Sequence, residues 1–307
     1  MNALAKEGEF GLIERIRARF RQPTAPDYGI GDDCALLTPR VGMQIAVSTD
    51  LMTEGGHFDR SYMPAIALGR KALAVNLSDL AAMGAIPRVF FLSFALPRAF
   101  SVDYLDGMLE GLAAMADEHD CLLAGGDTCG SQSGLTISIT VLGEQKPQYM
   151  VKRSGAQAGH DIWVSGTLGD AVAGLEQLQK GAVACDQFLV SRHLDPTPRV
   201  GLGIVLAESE SVSSMIDISD GLYGDVGHCM RLSGVGADIN LNSLPLSLPY
   251  RTFSRQQHDP WLAALTGGED YELCFTAAPK HEETICNLAK TTGIPVTKIG
   301  TVTEQSG

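Results

Sequence analysis

Residues 214–222, Ser-Met-Ile-Asp-Ile-Ser-Asp-Gly-Leu, place two aspartates where a predicted strand ends and a predicted helix begins. The apolar residues in Ser214–Ile218 predict a strand, and Asp220 is predicted to cap a helix that runs to about Leu232. Close carboxylates repel by about 4 kcal/mol per pair at an effective dielectric of about 20, so a fold that gathers them needs cations. Four further acidic clusters occupy similar positions, and they are Gly31-Asp32-Asp33, Ser48-Thr49-Asp50, Asn76-Leu77-Ser78-Asp79 and Gly125-Gly126-Asp127.

Composition limits the class of protein. With 307 residues and 45% hydrophobic content, the chain is long enough for two medium domains, which we place at 1–148 and 149–307 around a polar, glycine-containing stretch. A formal net charge of -13 argues against nucleic acid or an anionic membrane as the main partner. The seven cysteines include no Cys-x-x-Cys pair, and the N-terminus has no apolar signal core. We therefore expect a soluble cytoplasmic protein.

Strand and helix patterns alternate along the whole chain. Pro64 opens a helix that carries Asp79 and stops near Gly84, and Ser101 is predicted to cap a helix that runs to His119. A first amphipathic helix is predicted around Phe10 to Phe20. The remaining predicted elements are strands at Met43–Val47, Val89–Leu96, Cys121–Ala124, Leu135–Gly143, Asp161–Ser165 and Tyr271–Thr276, and helices at Leu168–Gln179 and Arg199–Ser209.

The acidic clusters indicate a chemistry that uses magnesium and phosphate. Magnesium binds carboxylate, water and phosphate oxygens, so several aspartates could hold a group of ions around a polyphosphate. Phosphoryl transfer needs positioning and charge neutralisation more than a side-chain nucleophile. Consistent with this, the sequence contains no Walker A loop, no kinase glycine-rich loop and no Gly-x-Ser-x-Gly motif.

Each motif taken singly has a simpler interpretation. A Gly-Asp or Ser-Asp pair is often only a turn or a helix cap, as Asp32 and Asp220 illustrate. His57 fits an ordinary loop histidine, Arg153 a solvated charge and Tyr104 an aromatic at the edge of a core. The functional interpretation depends on the combination of motifs.

That combination resembles the thiamine-monophosphate kinase family, within the aminoimidazole ribonucleotide synthetase-like superfamily. The resemblance covers nearly the whole chain and keeps its motifs in order. Besides the acidic clusters, the motifs are Gly8-Glu9-Phe10, Glu54-Gly55-Gly56-His57-Phe58, Gly125-Gly126-Asp127-Thr128, Val164 to Asp170, Asp217-Ile218-Ser219-Asp220-Gly221-Leu222 and Gly267-Gly268-Glu269-Asp270-Tyr271.

The resemblance implies an α/β (α+β) fold of two domains. In that fold an N-terminal sheet with flanking helices binds metal and ATP and forms a homodimer, and a C-terminal α/β domain completes the nucleotide and substrate site. It also implies direct transfer of the γ-phosphate of ATP to thiamine monophosphate, with several Mg²⁺ ions. The implied metal ligands are Asp33, Ser48, Thr49, Asp50, Asp79, Asp127, Asp217 and Asp220. The implied ATP contacts are Tyr104, Gly126, Asp127, Arg153 and Ser219, and the implied substrate contacts are His57 and Glu269.

One part of the family pattern has no counterpart here. The family usually continues into a hairpin and a terminal segment with an aromatic residue on the substrate, whereas this sequence ends at Thr303-Glu304-Gln305-Ser306-Gly307. The resemblance therefore assigns no aromatic contact. Two alternatives remain: a related ATP-dependent synthetase of the superfamily, and a magnesium- and nucleotide-binding protein without turnover.

Overall fold

The computed structural model describes residues 3–181, 185–255 and 257–304, and for residues 3–7, 9 and 10 it describes the backbone alone. The predicted apolar position Phe10 and the terminal Gln305–Gly307 thus lie outside the described side chains. The chain forms two compact units. Unit 1 takes in Met1–Leu77 and Pro87–Glu144, and unit 2 takes in Ser78–Ile86 and Gln145–Gly307. The division at 148/149 stays a proposal.

Unit 1 combines a four-stranded sheet with helices. The helices are α1 (Ala3–Arg17), α2 (Ala65–Ala82, whose last residues belong to unit 2) and α3 (Val102–Glu118). The strands are β1 (Gln44–Thr53), β2 (Ile86–Pro97), β3 (Leu122–Ser131) and β4 (Thr136–Gln145), in the order β1-β4-β2-β3. The side chain of Ser101 accepts a hydrogen bond from Tyr104 N, which confirms the predicted cap of α3.

Two strands run further than their sequence patterns predicted. We expected strands to end at Val47 and Ala124, before the acidic clusters, but Ser48-Thr49-Asp50 lies inside β1 and Gly125-Gly126-Asp127 lies inside β3. The apolar run ends where predicted, while the backbone pairing continues past it: Asp127 still pairs with Ser93 of the parallel strand β2. Polar residues are compatible with a strand wherever one of its faces reaches solvent.

Helices α2 and α3 approach each other through two glycines. A Cβ atom on Gly69 would stand 1.8 Å from Met108 O, and one on Gly111 would stand 2.0 Å from Ile66 O. Both distances are far below van der Waals contact, so only glycine allows this crossing. Leu105 of α3 and Leu68 of α2, which lie near this crossing in the sequence, have no exposed surface.

Unit 2 is built on a five-stranded antiparallel sheet. Its strands are β5 (Asp161–Ser165), β6 (Val212–Asp217), β7 (Gly236–Ile239), β8 (Leu273–Ala277) and β9 (Val296–Thr303), in the order β6-β8-β5-β9-β7. Its helices are α4 (Asp170–Gln179), α5 (Gln187–Leu194), α6 (Val200–Glu208), α7 (Leu222–Ser233), α8 (Leu248–Ser254), α9 (Leu262–Thr266) and α10 (Glu282–Thr292). The predicted strands and helices of this half are present, with ends that differ by a few residues.

The core of unit 2 lies between one face of this sheet and helix α7. Ile162 and Ile216 from the strands meet Leu222 and Val226 from α7, together with the fully buried ring of Tyr250. Burying each such side chain contributes about 1.5–3 kcal/mol. The same packing fixes the start of α7 next to the end of β6, where the Asp217 motif lies. None of the helices in the described part of the chain has the length and apolar character needed to cross a bilayer.

Replacing Gly111 by alanine tests the helix crossing. We expect Gly111→Ala to lower the free energy of unfolding by about 1–3 kcal/mol, because the new methyl group overlaps the backbone of Ile66. Urea denaturation followed by circular dichroism measures the change. The matched control is Gly201→Ala in α6, where a Cβ atom meets nothing within 4 Å. Equal stability of the two variants would contradict the close packing.

Candidate functional site

In unit 1, Asp33 lies in a loop that is closed by backbone pairing. Tyr28 and Leu36 exchange two backbone hydrogen bonds of 2.8 and 2.9 Å, and Asp32 Oδ1 accepts from Asp33 N at 2.9 Å. Asp32 therefore supports the turn that carries the exposed Asp33. Arg88 of β2 ties the loop to the sheet, because it donates to Asp27 Oδ2 at 2.6 Å.

Strand β1 places its three site residues on two different faces. Ser48 and Asp50 share the half-buried face, whereas Thr49 lies on the exposed face. Thr49 Oγ1 donates to Ile139 O at 3.1 Å, so the hydroxyl contributes to pairing with β4. The structure therefore brings Ser48 and Asp50 together and directs the Thr49 side chain away from them.

Strand β3 carries Asp127 at a bulge. The register of β3 against β2 slips between Phe90 and Phe91, and directly after it a Cβ atom on Gly126 would stand 1.7 Å from Leu92 O. Only glycine fits there, because the backbone of Leu92 occupies the space that a side chain would need. Strands β4 and β2 lie between β1 and β3 in the sheet. At ordinary strand spacing, the backbones of β1 and β3 are therefore about 14 Å apart. The sheet alone does not bring Asp50 and Asp127 to one ion.

The His57 loop (Glu54–Phe58) follows β1 and is held by an ion pair. Arg60 Nε donates to Glu54 Oε1 at 2.7 Å, and Leu135 N donates to Glu54 Oε2 at 2.8 Å. Burial opposes ionisation of Glu54, but these donors outweigh it and leave the pKa of Glu54 below its usual value. His57 is exposed and its Nδ1 accepts from Thr53 N at 3.1 Å.

Arg60 also contacts the predicted ATP residue Tyr104. Its guanidinium carbon lies 5.7 Å from the centroid of the Tyr104 ring, and Tyr104 donates its hydroxyl to Met63 O at 2.8 Å. Burial raises the pKa of Tyr104 to about 12, so the phenol stays neutral. Sequence reasoning missed Arg60. The available signal was the position of Arg60, two residues after the end of the His57 loop. The loop begins with Glu54, whose negative charge needs a nearby basic partner.

In unit 2, Asp217 ends strand β6 in a buried position next to Asp79. Asp217 is 2% exposed, and Ser78 Oγ donates to its Oδ2 at 2.7 Å. Burial first, and then the charge of Asp79, raise the pKa of Asp217 to about 7. Two predicted metal ligands from distant parts of the sequence thus meet, and a bound cation would stabilise their ionised forms.

The Asp217 loop (Asp217–Gly221) is supported by a residue that the sequence did not single out. Asp225, in the first turn of α7, accepts from Ser219 N and from Asp220 N, both at 3.1 Å. The prediction that Asp220 caps this helix was wrong. Gly221, at φ 110°, is the residue before the first turn, and it leaves Asp220 exposed. An acidic residue at the start of a helix was the missed signal, because carboxylates there accept from exposed N–H groups.

The Glu269 loop (Gly267–Tyr271) is anchored against the Asp217 loop. Glu269 N donates to Ser219 O and Tyr271 N donates to Ile218 O, each at 2.9 Å. Between them, the buried Asp270 accepts from Gly169 N at 2.7 Å and from Ala171 N at 3.3 Å, at the start of α4. Glu269 and Tyr271 both have positive φ, 67° and 49°, a strained conformation for residues with side chains.

Arg153 lies on an exposed segment of the same unit. Gly155 N and Ala156 N donate to Ser233 Oγ at 3.0 and 3.1 Å, which fixes the segment against the end of α7. Over the described residues, no group of three or more His, Cys, Asp or Glu side chains has a geometry suited to a metal ion. Among the predicted metal ligands, Asp217 interacts with the charges of Asp79 and Asp225, and Asp220 interacts with Asp225.

Comparison with known proteins gives consistent matches. Residues 31–145 match the family model of the AIR synthase related protein, N-terminal domain, and residues 157–307 match its C-terminal domain. A thiamine-monophosphate kinase of Haemophilus influenzae is 40% identical over 98% of this chain and 90% of its own length. The crystal structure of thiamine-monophosphate kinase from Stenotrophomonas maltophilia superposes with a TM-score of 0.87 at 42% identity, covering 98% of this chain and 95% of that one. The structure of AaThiL complexed with AMPPCP and TMP superposes with a TM-score of 0.79 at 34% identity, covering 100% and 94%.

The buried Asp270 predicts a specific pH dependence of stability. Burial raises the pKa of Asp270 to about 7, from an ordinary value of 3.8. Between these values the unfolded chain has lost the proton and the folded chain keeps it, so this residue makes stability fall as pH rises, by about 1 kcal/mol per pH unit.

Asp270→Asn should remove that contribution, because asparagine resembles the neutral acid. We expect the stability of the variant relative to wild type to rise from pH 4 to pH 7, measured by urea denaturation in the absence of divalent cations. The change in the difference with pH is the test, because asparagine keeps only one of the two oxygens that accept from Gly169 N and Ala171 N. Parallel stability curves from pH 5 to 8 would show that Asp270 is already ionised in the folded protein.

Proposed function

Since this chain belongs to the thiamine-monophosphate kinase family of AIR synthase related proteins, we propose that it transfers the γ-phosphate of ATP to thiamine monophosphate, giving thiamine diphosphate. The structural observation that carries the proposal is the burial of Asp217 against the end of α2, where Ser78 Oγ donates to it at 2.7 Å and the next residue, Asp79, places a second carboxylate nearby. Such a pair is costly in a protein that binds no cation and useful in one that binds metal and phosphate. AaThiL supports the choice of substrates, since it was solved with AMPPCP and TMP.

Magnesium is the cation that this donor set suits. The proposed ligands are carboxylate, hydroxyl and backbone oxygens, which are hard donors, from Asp33, Ser48, Thr49, Asp50, Asp79, Asp127, Asp217 and Asp220. The raised pKa of Asp217 beside Asp79 fits this role, because a nearby cation would favour both ionised forms. When bound, Mg²⁺ supplies positive charge that reduces the repulsion between two anionic reactants.

The remaining site residues are proposed to bind and orient the substrates. For ATP, Tyr104 offers a neutral ring and Arg153 can fork onto phosphate oxygens, and Gly126, Asp127 and Ser219 are the further proposed contacts. For thiamine monophosphate, His57 contacts the substrate from its exposed loop, and Glu269 meets the cationic or donor-bearing rings.

The reaction needs no covalent intermediate on the protein. A phosphate oxygen of thiamine monophosphate forms a bond to the γ-phosphorus while the bond from that phosphorus to the bridging oxygen of ADP breaks, and ADP leaves with the electron pair. The work of the chain is alignment of the attacking oxygen and exclusion of water. Loops held by side-chain acceptors, as at Asp225 and Asp270, suit that task because they limit movement of the site residues.

We further propose that the protein is a cytoplasmic homodimer. Strand β1 is an edge strand, and one of its faces exposes Ile45, Val47 and Leu51 at 44%, 62% and 57%. An exposed apolar row on an edge strand is a common site for pairing with a second chain. Exposed thiols at Cys34 and Cys129 suit a reducing compartment.

A turnover assay tests the function. We expect the purified protein with ATP, magnesium and thiamine monophosphate to yield thiamine diphosphate and ADP in equal amounts, measured by chromatography. Asp127→Asn should lower kcat/KM by about 100-fold without unfolding the protein, because it removes a proposed metal ligand.

The matched control for that assay is Asp238→Asn on the exposed side of β7, where turnover should stay at the wild-type rate. Nucleotide binding with no product would favour the alternative of a binding protein without turnover. Product with a different phosphate acceptor would favour another ATP-dependent enzyme of the superfamily.

Light scattering coupled to gel filtration tests the dimer. We expect wild type to have the mass of two chains and Val47→Glu to have the mass of one, because a buried charge opposes association of the β1 faces. The control is Val41→Glu, at a fully exposed position outside the strand, which should stay dimeric. A monomeric wild type, or a dimeric Val47→Glu variant, would count against this interface.

A further inference from the structure

Helix α5 places two consecutive basic residues against the Glu269 loop. Arg192 and His193 occupy its last turn, and neither was assigned a role from the sequence. Both point into unit 2: the Arg192 side chain is 11% exposed and the His193 side chain is 2% exposed. A buried imidazole on a helix with no proposed site residue requires an explanation, since histidine is a costly choice for simple packing.

His193 contacts the carboxylate proposed to bind substrate. Its Nδ1 lies 3.0 Å from Glu269 Oε2, within ion-pair distance but outside hydrogen-bond geometry, and the two groups form an ion pair when the imidazole is protonated. The Glu269 side chain is 27% exposed, so it can reach a ligand while one of its oxygens is in contact with a buried group. The contact therefore restricts the directions in which the Glu269 carboxylate points.

Arg192 fixes the backbone of the same loop. Its Nη2 donates to Asp270 O at 3.2 Å and to Glu272 Oε1 at 2.8 Å. Glu272 is fully buried and also accepts from Arg199 Nε at 2.7 Å and from Ser165 Oγ at 2.6 Å. Because these partners anchor Arg192, they also fix the next residue, His193, relative to the loop.

The backbone of the loop explains why such support is needed. Glu269 and Tyr271 adopt positive φ, which residues with side chains rarely keep unless surrounding contacts impose it. A glutamate side chain is also flexible, and it loses much rotamer freedom when it is held in one orientation. A contact made before substrate arrives removes that cost from the binding step.

We propose that His193 is a positioning residue, which holds the Glu269 carboxylate in the orientation that receives the rings of thiamine monophosphate. This inference rests on the proposed function. It assigns His193 to recognition of the acceptor substrate, and it leaves ATP binding to other residues.

Paired substitutions of His193 test the inference. Asparagine places its amide nitrogen near the position of Nδ1, whereas glutamine places its amide nitrogen near Nε2. We expect His193→Gln to raise KM for thiamine monophosphate about tenfold, as loss of one contact to a charged group does, and to change KM for ATP less than about twofold. His193→Asn should retain most of the wild-type affinity. His258→Gln, at an exposed position, is the matched control and should change neither constant.

A double-mutant cycle separates positioning from packing. Glu269→Gln should raise KM for thiamine monophosphate, and adding His193→Gln should raise it little further, because the second residue acts through the first. Binding of thiamine monophosphate measured by calorimetry, together with thermal melting, shows whether each variant is folded. If His193→Gln does not fold, the cycle is completed with His193→Leu, which fills the space of the ring and removes Nδ1.

Each outcome decides the proposal. An active wild type with unchanged KM in His193→Gln, additive effects in the cycle, or equal losses for both substrates would overturn the positioning role and leave the proposed function intact. A folded wild type that forms no thiamine diphosphate would overturn the proposed function, and this inference with it.

Discussion

Carboxylates that accept hydrogen bonds from backbone N–H groups are the interaction on which the rest of the site depends. Asp225 accepts from Ser219 N and Asp220 N, and Asp270 accepts from Gly169 N and Ala171 N. Loops near a substrate cannot satisfy these groups by regular pairing, and unsatisfied buried N–H groups are costly. Short acidic side chains solve this problem and fix the loop shape.

This solution adds negative charge to a region that already has it. The protein handles two buried carboxylates in different ways. Glu272 lies among Arg192, Arg199 and Ser165, so its charge is compensated inside the fold. Asp217 has another carboxylate, Asp79, as a charged neighbour, and burial first and then that charge raise its pKa. Glu272 therefore has a structural role, whereas Asp217 is a proposed metal ligand whose charge a bound cation would compensate.

Much of the fold could be predicted from the sequence, because apolar periodicity is a local signal. Helix α2 carries Asp79 where the pattern placed it, and Ser101 caps α3. The predicted ends of β1 and β3 were wrong, since hydrogen bonding to neighbouring strands continues after the apolar residues stop. Asp220 was predicted to cap α7, but Gly221 occupies the cap position, and the supporting role of Asp225 was missed. Both errors have the same cause, because capping depends on backbone geometry that the residue type does not specify.

By itself, the sequence determined the family, many of the helices and strands, and the residue types of the proposed site, because these depend on local patterns and on motifs kept in order. Only the tertiary structure decided that Asp79 and Asp217 meet, that the Thr49 side chain turns away from Ser48 and Asp50, and that His193 contacts Glu269. The reason is physical: packing brings together residues far apart in the chain, and the alternation of a strand sends neighbours to opposite faces.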